Sequence, residues 1–184
     1  MIGNFGEAET FSFHATKFMN TFEGGAIATN NDELAKKIKL MTNFGFAGHD
    51  NVIYIGTNGK MSEVCAAMGL TSLDNIGDFI ANNKKNYELY RSELKDLKGI
   101  TLQEYDESEG CNYQYIIIEV DETALGISRD EVVSILHAEN VLARRYFYPG
   151  CHKMEPYRSY YPHAGYLLPV TEAKSKKVVS LPTG

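Results

Sequence analysis

Seven residues recur at steps of four and three: Ile76, Ile80, Asn83, Tyr87, Tyr90, Leu94 and Leu97. A 3.6-residue helix sets such positions on one face, so the stretch predicts a long helix with a continuous apolar seam. A strand would show strict alternation instead. Gly99 supplies the stop. A helix of this length commonly bridges two domains. We place a boundary within it and expect two parts, residues 1–78 and 79–184.

The pattern differs on either side of that seam. Upstream, T-F-S-F (10–13) and G-A-I-A-T (25–29) read as two short strands around a lysine turn. A helix is expected to start at Asn30, with Glu33 completing a capping box, and to run to Asn43. Residues 44–59 are glycine-rich and irregular, which inside a compact domain usually marks a working loop. Ser62 to Leu73 reads as a second helix. Downstream, I-T-L (100–102), Tyr113–Val120 and Val141–Tyr148 read as strands. Ser128 and Glu131 open a helix between the last two, with Val132, Val133, Ile135 and Leu136 as its apolar face. The alternation of strands and helix predicts an α/β protein. Residues 151–184 read as loop-rich. The chain opens almost directly on a strand and stops at L-P-T-G without a sealing helix, so it is expected to be part of a longer polypeptide.

Charge and cysteine content narrow the function. The chain carries 18 basic and 24 acidic side chains, a net charge of -6. Without a basic stripe, nucleic acid is not an expected partner. An anion can still be held by local donors such as backbone N–H groups or one lysine. Cys65, Cys111 and Cys151 are odd in number and widely spaced, which argues against a disulfide framework or a metal site. No signal peptide or membrane-spanning run is seen, and a cytoplasmic location is expected. A Cys151–His152 hydrolase pair is discounted, because adjacent side chains diverge.

The lysine turn is the most informative stretch. In F-S-F-H-A-T-K-F, Lys17 lies between Phe13 and Phe18. A lysine after a strand is most often a solvated surface residue. Apolar neighbours would instead favour an uncharged, nucleophilic amine that attacks an aldehyde. Ser12, Thr16 and the Gly24–Gly25 pair would suit a phosphate group nearby.

S-F-H-A-T-K followed by E-G-G-A-I-A-T-N resembles the lysine motif of the DegT/DnrJ/EryC1/StrS sugar aminotransferases. G-T-N-G-K-M-S-E (56–63) with A-A-M-G-L is similar to the family's second signature, and R-Y-F-Y-P-G-C-H-K-M-E-P-Y (145–157) to its third. L-P-V-T-E and S-L-P-T-G near the end also fit. The resemblance covers essentially the whole chain. It implies part of a fold type I pyridoxal-phosphate large domain, ending near residue 78, and a small C-terminal α/β domain.

It also implies residue roles. Lys17 matches the lysine that joins the pyridoxal 5'-phosphate aldehyde and moves the substrate proton. Ser12 matches the residue that bonds the cofactor phosphate. Asn58 matches an asparagine reaching the neighbouring subunit's cofactor, which implies a homodimer with shared sites. Lys60 stands where many members carry arginine. Tyr146 and His152 fall in the motif near the sugar. The implied reaction moves an amino group from glutamate to a keto group of a nucleotide-linked deoxysugar, in polysaccharide or deoxysugar biosynthesis. Two alternatives share the fold: a non-catalytic subunit, and a sugar dehydratase, whose members replace the lysine with histidine. The family's phosphate-binding turn, cofactor-stacking ring and pyridine-facing aspartate precede the lysine, and nothing ahead of Lys17 supplies them. The chain alone is therefore expected to be inactive and poorly soluble.

Overall fold

The computed structural model describes residues 3–183. The chain divides into two compact units, residues 1–77 and 78–184. Each is described by itself.

The first unit begins with a hairpin, β1 (Glu9–Ser12) and β2 (Gly25–Ala28), in antiparallel register from Glu9 opposite Ala28 to Ser12 opposite Gly25. Helix α1 (Asp32–Met41) follows. Its N-cap is Asn31, whose side chain accepts from the Leu34 amide, one residue later than expected. Asn30 is engaged elsewhere, donating to Asn4. Residues 44–59 fold back on the end of α1, fastened by backbone bonds such as Thr57 N–H to Met41 O. Gly45 makes this possible. Its φ is +82°, and a Cβ there would sit 1.7 Å from the Tyr54 carbonyl oxygen. Helix α2 (Glu63–Asp74) is capped by Ser62. Its small residues Gly69 and Ser72 are buried, and the Ser72 hydroxyl donates to Asn20 O.

The second unit takes in most of α3 (Ile76–Leu94), the helix of the seam. Strands β3 (Ile100–Leu102), β4 (Ile116–Val120), β5 (Arg144–Arg145) and β6 (Val178–Leu181) form one antiparallel sheet in the order β3-β4-β6-β5. Helices α4 (Glu122–Leu125), α5 (Arg129–Ala138), α6 (Tyr157–Tyr160), α7 (Ala164–Leu167) and α8 (Pro169–Ser175) fill the connections. The expected Ser128–Glu131 capping box opens α5. Replacing Ser128 with alanine is expected to cost about 1 kcal/mol, read as a lower unfolding temperature.

Three sequence readings need correction here. The run 141–148 contributes only Arg144–Arg145 to the sheet. Val141 is held by Leu136 O at the end of α5, and Tyr146 stacks on Phe147 with centroids 4.0 Å apart instead of alternating across a sheet. Strand β4 begins at Ile116 rather than Tyr113, because Tyr113 has φ +50° in a turn that Asn112 closes through the Gln114 amide. Residues 151–184 are not mostly loop: they hold α6–α8 and β6, a strand paired on both edges.

Every buried hydrophobic residue among those described lies in the second unit: Tyr87, Tyr113, Ile116, Ile118, Val120, Val133, Ala143, Val179 and Leu181. In the first unit Phe44, Phe46, Val52, Ile53 and Ile55 are exposed, Ile55 to 94%. The two units thus bury apolar surface very unequally, and that burial is the main favourable term in folding.

Candidate active site

The connection from β1 to β2 carries Lys17. Phe13 N–H donates to Gly24 O and Thr21 N–H to Phe13 O, so the hairpin ladder continues past Ser12. Lys17 N–H donates to His14 O and closes a turn. Thr21 is 1% exposed and packs on Gly69 of α2: a Cβ at Gly69 would lie 2.8 Å from Thr21 Cγ2. The glycine pair serves close approach. A Cβ at Gly25 would stand 2.7 Å from Phe11 O, and one at Gly24 would stand 2.8 Å from Met61 Cε. The lysine turn is therefore pinned to α2 on one side and to the 58–61 segment on the other.

Within this frame the Lys17 side chain is exposed, and among the described residues its amine has no hydrogen-bond or ion-pair partner. Among the described residues the desolvating enclosure expected from Phe13 and Phe18 is not formed: Lys17 is exposed while both phenylalanines are half-buried. Ser12 is also exposed, and its hydroxyl accepts from His14 N–H at 3.4 Å. His14 Nδ1 pairs with the Thr16 hydroxyl at 3.0 Å, and Nε2 lies 3.4 Å from Glu23. A primary amine and a hydroxyl on one pinned turn, both open to solvent, fit an aldehyde-and-phosphate ligand.

Asn58 and Lys60 meet around Asn43. Asn58 bridges Asn43 through the backbone, and Lys60 Nζ donates to Asn43 Oδ1 at 3.0 Å while lying 4.7 Å from the Phe44 ring centre. Both are exposed.

In the second unit, Tyr146 and His152 line one open pocket of about 640 Å³, with Cys151, Leu168 and Thr171. Burial, and then the neighbouring Tyr115, hold the Tyr146 phenol well above its ordinary range. It stays a protonated donor. His152 Nε2 and Glu172 Oε1 are 2.7 Å apart, and Lys153 Nζ donates to Glu172 Oε2 at 2.5 Å. Gly150, at φ +94°, lets the ring lie against the backbone: a Cβ there would be 2.8 Å from His152 Cε1. The sequence reading named His152 but missed Glu172, whose partners sit 19 and 20 residues away along the chain. Periodicity carries no signal for such a pair.

Lys153, then His152, hold the Glu172 carboxyl below its ordinary value of 4.5. A lowered folded-state value adds stability above pH 4.5 that fades as pH falls through the folded value. The stability gap between the protein and its Glu172→Gln variant is therefore expected to be present at neutral pH and to close on acidification below about 4.5, measured by unfolding at a series of pH values.

The family model for the DegT/DnrJ/EryC1/StrS aminotransferases matches residues 1–184. The chain belongs to that family. It is 40% identical over 179 residues to the dTDP-4-amino-4,6-dideoxy-D-glucose transaminase of Shigella dysenteriae, covering 96% of this chain and 47% of the relative. The solved structure of DesI in the presence of its TDP-sugar product matches with TM-score 0.87 and 50% identity, covering 99% of this chain and 46% of DesI. PseC of Helicobacter pylori, an aminotransferase involved in the biosynthesis of pseudoaminic acid, matches with TM-score 0.86 and 25% identity, covering 99% of this chain and 49% of PseC. The chain spans about half the length of the relatives it matches. The α/β architecture is that of the family's solved members. No helix among the described residues is long and apolar enough to cross a membrane.

Proposed function

We propose that this chain forms the C-terminal half of a pyridoxal-phosphate-dependent aminotransferase acting on a nucleotide-linked keto sugar. The observation that carries the reading is the unpartnered Lys17 amine on a turn pinned by Thr21, Gly24 and Gly25, in a chain matched by the family model along its whole length. Glutamate is the proposed amino donor and the cytoplasm the proposed location.

When bound, the cofactor supplies an electron-accepting ring that stabilises negative charge at the amino-bearing carbon. Lys17 Nζ would hold its aldehyde carbon, and as a free amine the same nitrogen would carry the proton to and from the amino-bearing carbon. Ser12 Oγ donates to its phosphate. Asn58 reaches the corresponding phosphate in a second subunit, which makes the working unit a homodimer. Lys60 and the protonated Tyr146 phenol orient the sugar nucleotide. His152, tied to Glu172 and Lys153, shapes the wall of the sugar pocket. The dehydratase alternative would need a histidine where Lys17 stands.

The test uses two samples. The 184-residue chain mixed with pyridoxal phosphate is expected to give no stable absorbance band near the visible edge. The complete enzyme is expected to give one that shifts on adding glutamate. A glutamate-responsive band from the short chain would show that this half suffices, and no band from the complete enzyme would overturn the reading.

A further inference from the structure

Beside the sugar pocket lies a second, polar one of about 490 Å³ that none of the roles above uses. One wall is a single face of α5: Asp130, Val133, Ser134 and His137, at helical spacing i, i+3, i+4, i+7. Asn140, at φ +60°, turns the chain back beneath that helix. His137 Nε2 meets Ala143 O at 2.7 Å and fastens the return. This lays Arg144 and Arg145 alongside the helix face.

The local charge is opposite to that of the chain. The protein is -6 overall, yet Arg129, Arg144 and Arg145 gather here against one carboxylate, Asp130. Arg129 is spent: only 4% exposed, it donates to Asp130, Ser175 O and Val178 O. Asp130 is consumed in turn, 2.7 Å from Arg129 and 3.6 Å from Arg145. The guanidinium carbons of Arg129 and Arg145 lie 4.8 and 4.9 Å from the centre of the Tyr148 ring, which orders them. Arg144 is exposed and has no ion-pair partner among the described residues. The guanidinium groups of Arg144 and Arg145, lining one pocket with donors to spare, suit an anion with several acceptor oxygens, while the Ser134 hydroxyl already donates to Asp130 O.

We propose that this pocket binds a phosphate or diphosphate group, held by Arg144 and Arg145. The diphosphate of a sugar nucleotide is one source, which rests on the function proposed above; free phosphate is the other, and the anion site stands without that reading. Titration calorimetry of the complete enzyme with pyrophosphate, dTDP and thymidine is the test, using the protein, Arg144→Gln and the Arg144→Gln/Arg145→Gln pair. Arg144 pairs with Ser180 through its backbone, and among the described residues its side chain makes no ion pair whose loss would disturb folding.

Pyrophosphate affinity is expected to fall on the order of tenfold for each arginine removed and to weaken with added salt. If dTDP weakens in parallel and competes with pyrophosphate, the source is the substrate. If dTDP is unaffected, the source is free phosphate. Unchanged pyrophosphate affinity in the double variant, or no binding to the unsubstituted protein, overturns the proposal. The cofactor band near the visible edge is read in the same samples, so failure of this pocket is separable from failure of the aminotransferase reading.

Discussion

Lys17→Ala in the complete enzyme is expected to abolish measurable amino transfer. Loss of a positioned proton-transfer group alone costs about 10²–10⁴-fold. Position 17 carries a second duty, since the same nitrogen is proposed to anchor the cofactor, so the deficit should reach or pass the upper end of that range. The structure explains why no neighbour should compensate. His14, the nearest titratable side chain on the turn, is held between Thr16 and Glu23. Lys60 is tied to Asn43 and lies over Phe44. Single-turnover assays with a keto-sugar nucleotide measure the effect. Folding should be unaffected, because Lys17 is exposed and its backbone bond to His14 O does not depend on the side chain. Activity within tenfold of the unsubstituted enzyme would contradict the assigned role.

The second large effect is structural. Tyr87 is 1% exposed and anchors α3 to the sheet of the second unit. Its ring meets Tyr105 edge-on at 5.1 Å and Tyr113 at 5.4 Å, and its hydroxyl donates to Gln103 O at 3.2 Å. Tyr87→Ala removes a ring from a closed cluster and leaves a carbonyl without its donor. A loss of about 3–5 kcal/mol is expected, as for other buried aromatic truncations. Tyr87→Phe keeps the ring and should cost only about 1 kcal/mol. The chain has no tryptophan. Hydrogen exchange at the β4 and β6 amides is therefore a suitable readout, with protection collapsing in Tyr87→Ala and largely retained in Tyr87→Phe. Equal protection in the two variants would show that the ring is not the anchor.

What could be read from the residues follows from the range of the forces involved. The seam from Ile76 to Leu94, the Ser128 cap, the second helix near Ser62 and the first hairpin are local, and local pattern carries them. Strand β6 was missed because V-V-S-L is four residues long and becomes a strand only by pairing with β4 and β5, more than thirty residues upstream. The run 141–148 misled for the converse reason. Its β-branched and aromatic content suits a strand, but the return beneath α5 and the Tyr146–Phe147 stack take most of it out of the sheet.

The site divides the same way. Motif order pointed to Lys17, Ser12, Asn58, Lys60, Tyr146 and His152; in the first unit Ser12 and Lys17 lie on the lysine turn and Asn58 and Lys60 beside Asn43, and in the second Tyr146 and His152 line one pocket. The Glu172 contact to His152, and the exposure of Lys17, depend on tertiary geometry that no short motif encodes. The exposure of the apolar residues from Phe44 to Ile55, in a stretch read as an irregular loop, belongs to that class too.

Reduction of the cofactor-loaded complete enzyme with borohydride, followed by peptide mapping, tests the central claim most directly. The account predicts a pyridoxyl label on Lys17 and its disappearance when glutamate is added before the reductant. A label on Lys60 or any other lysine, or no label at all, would contradict it.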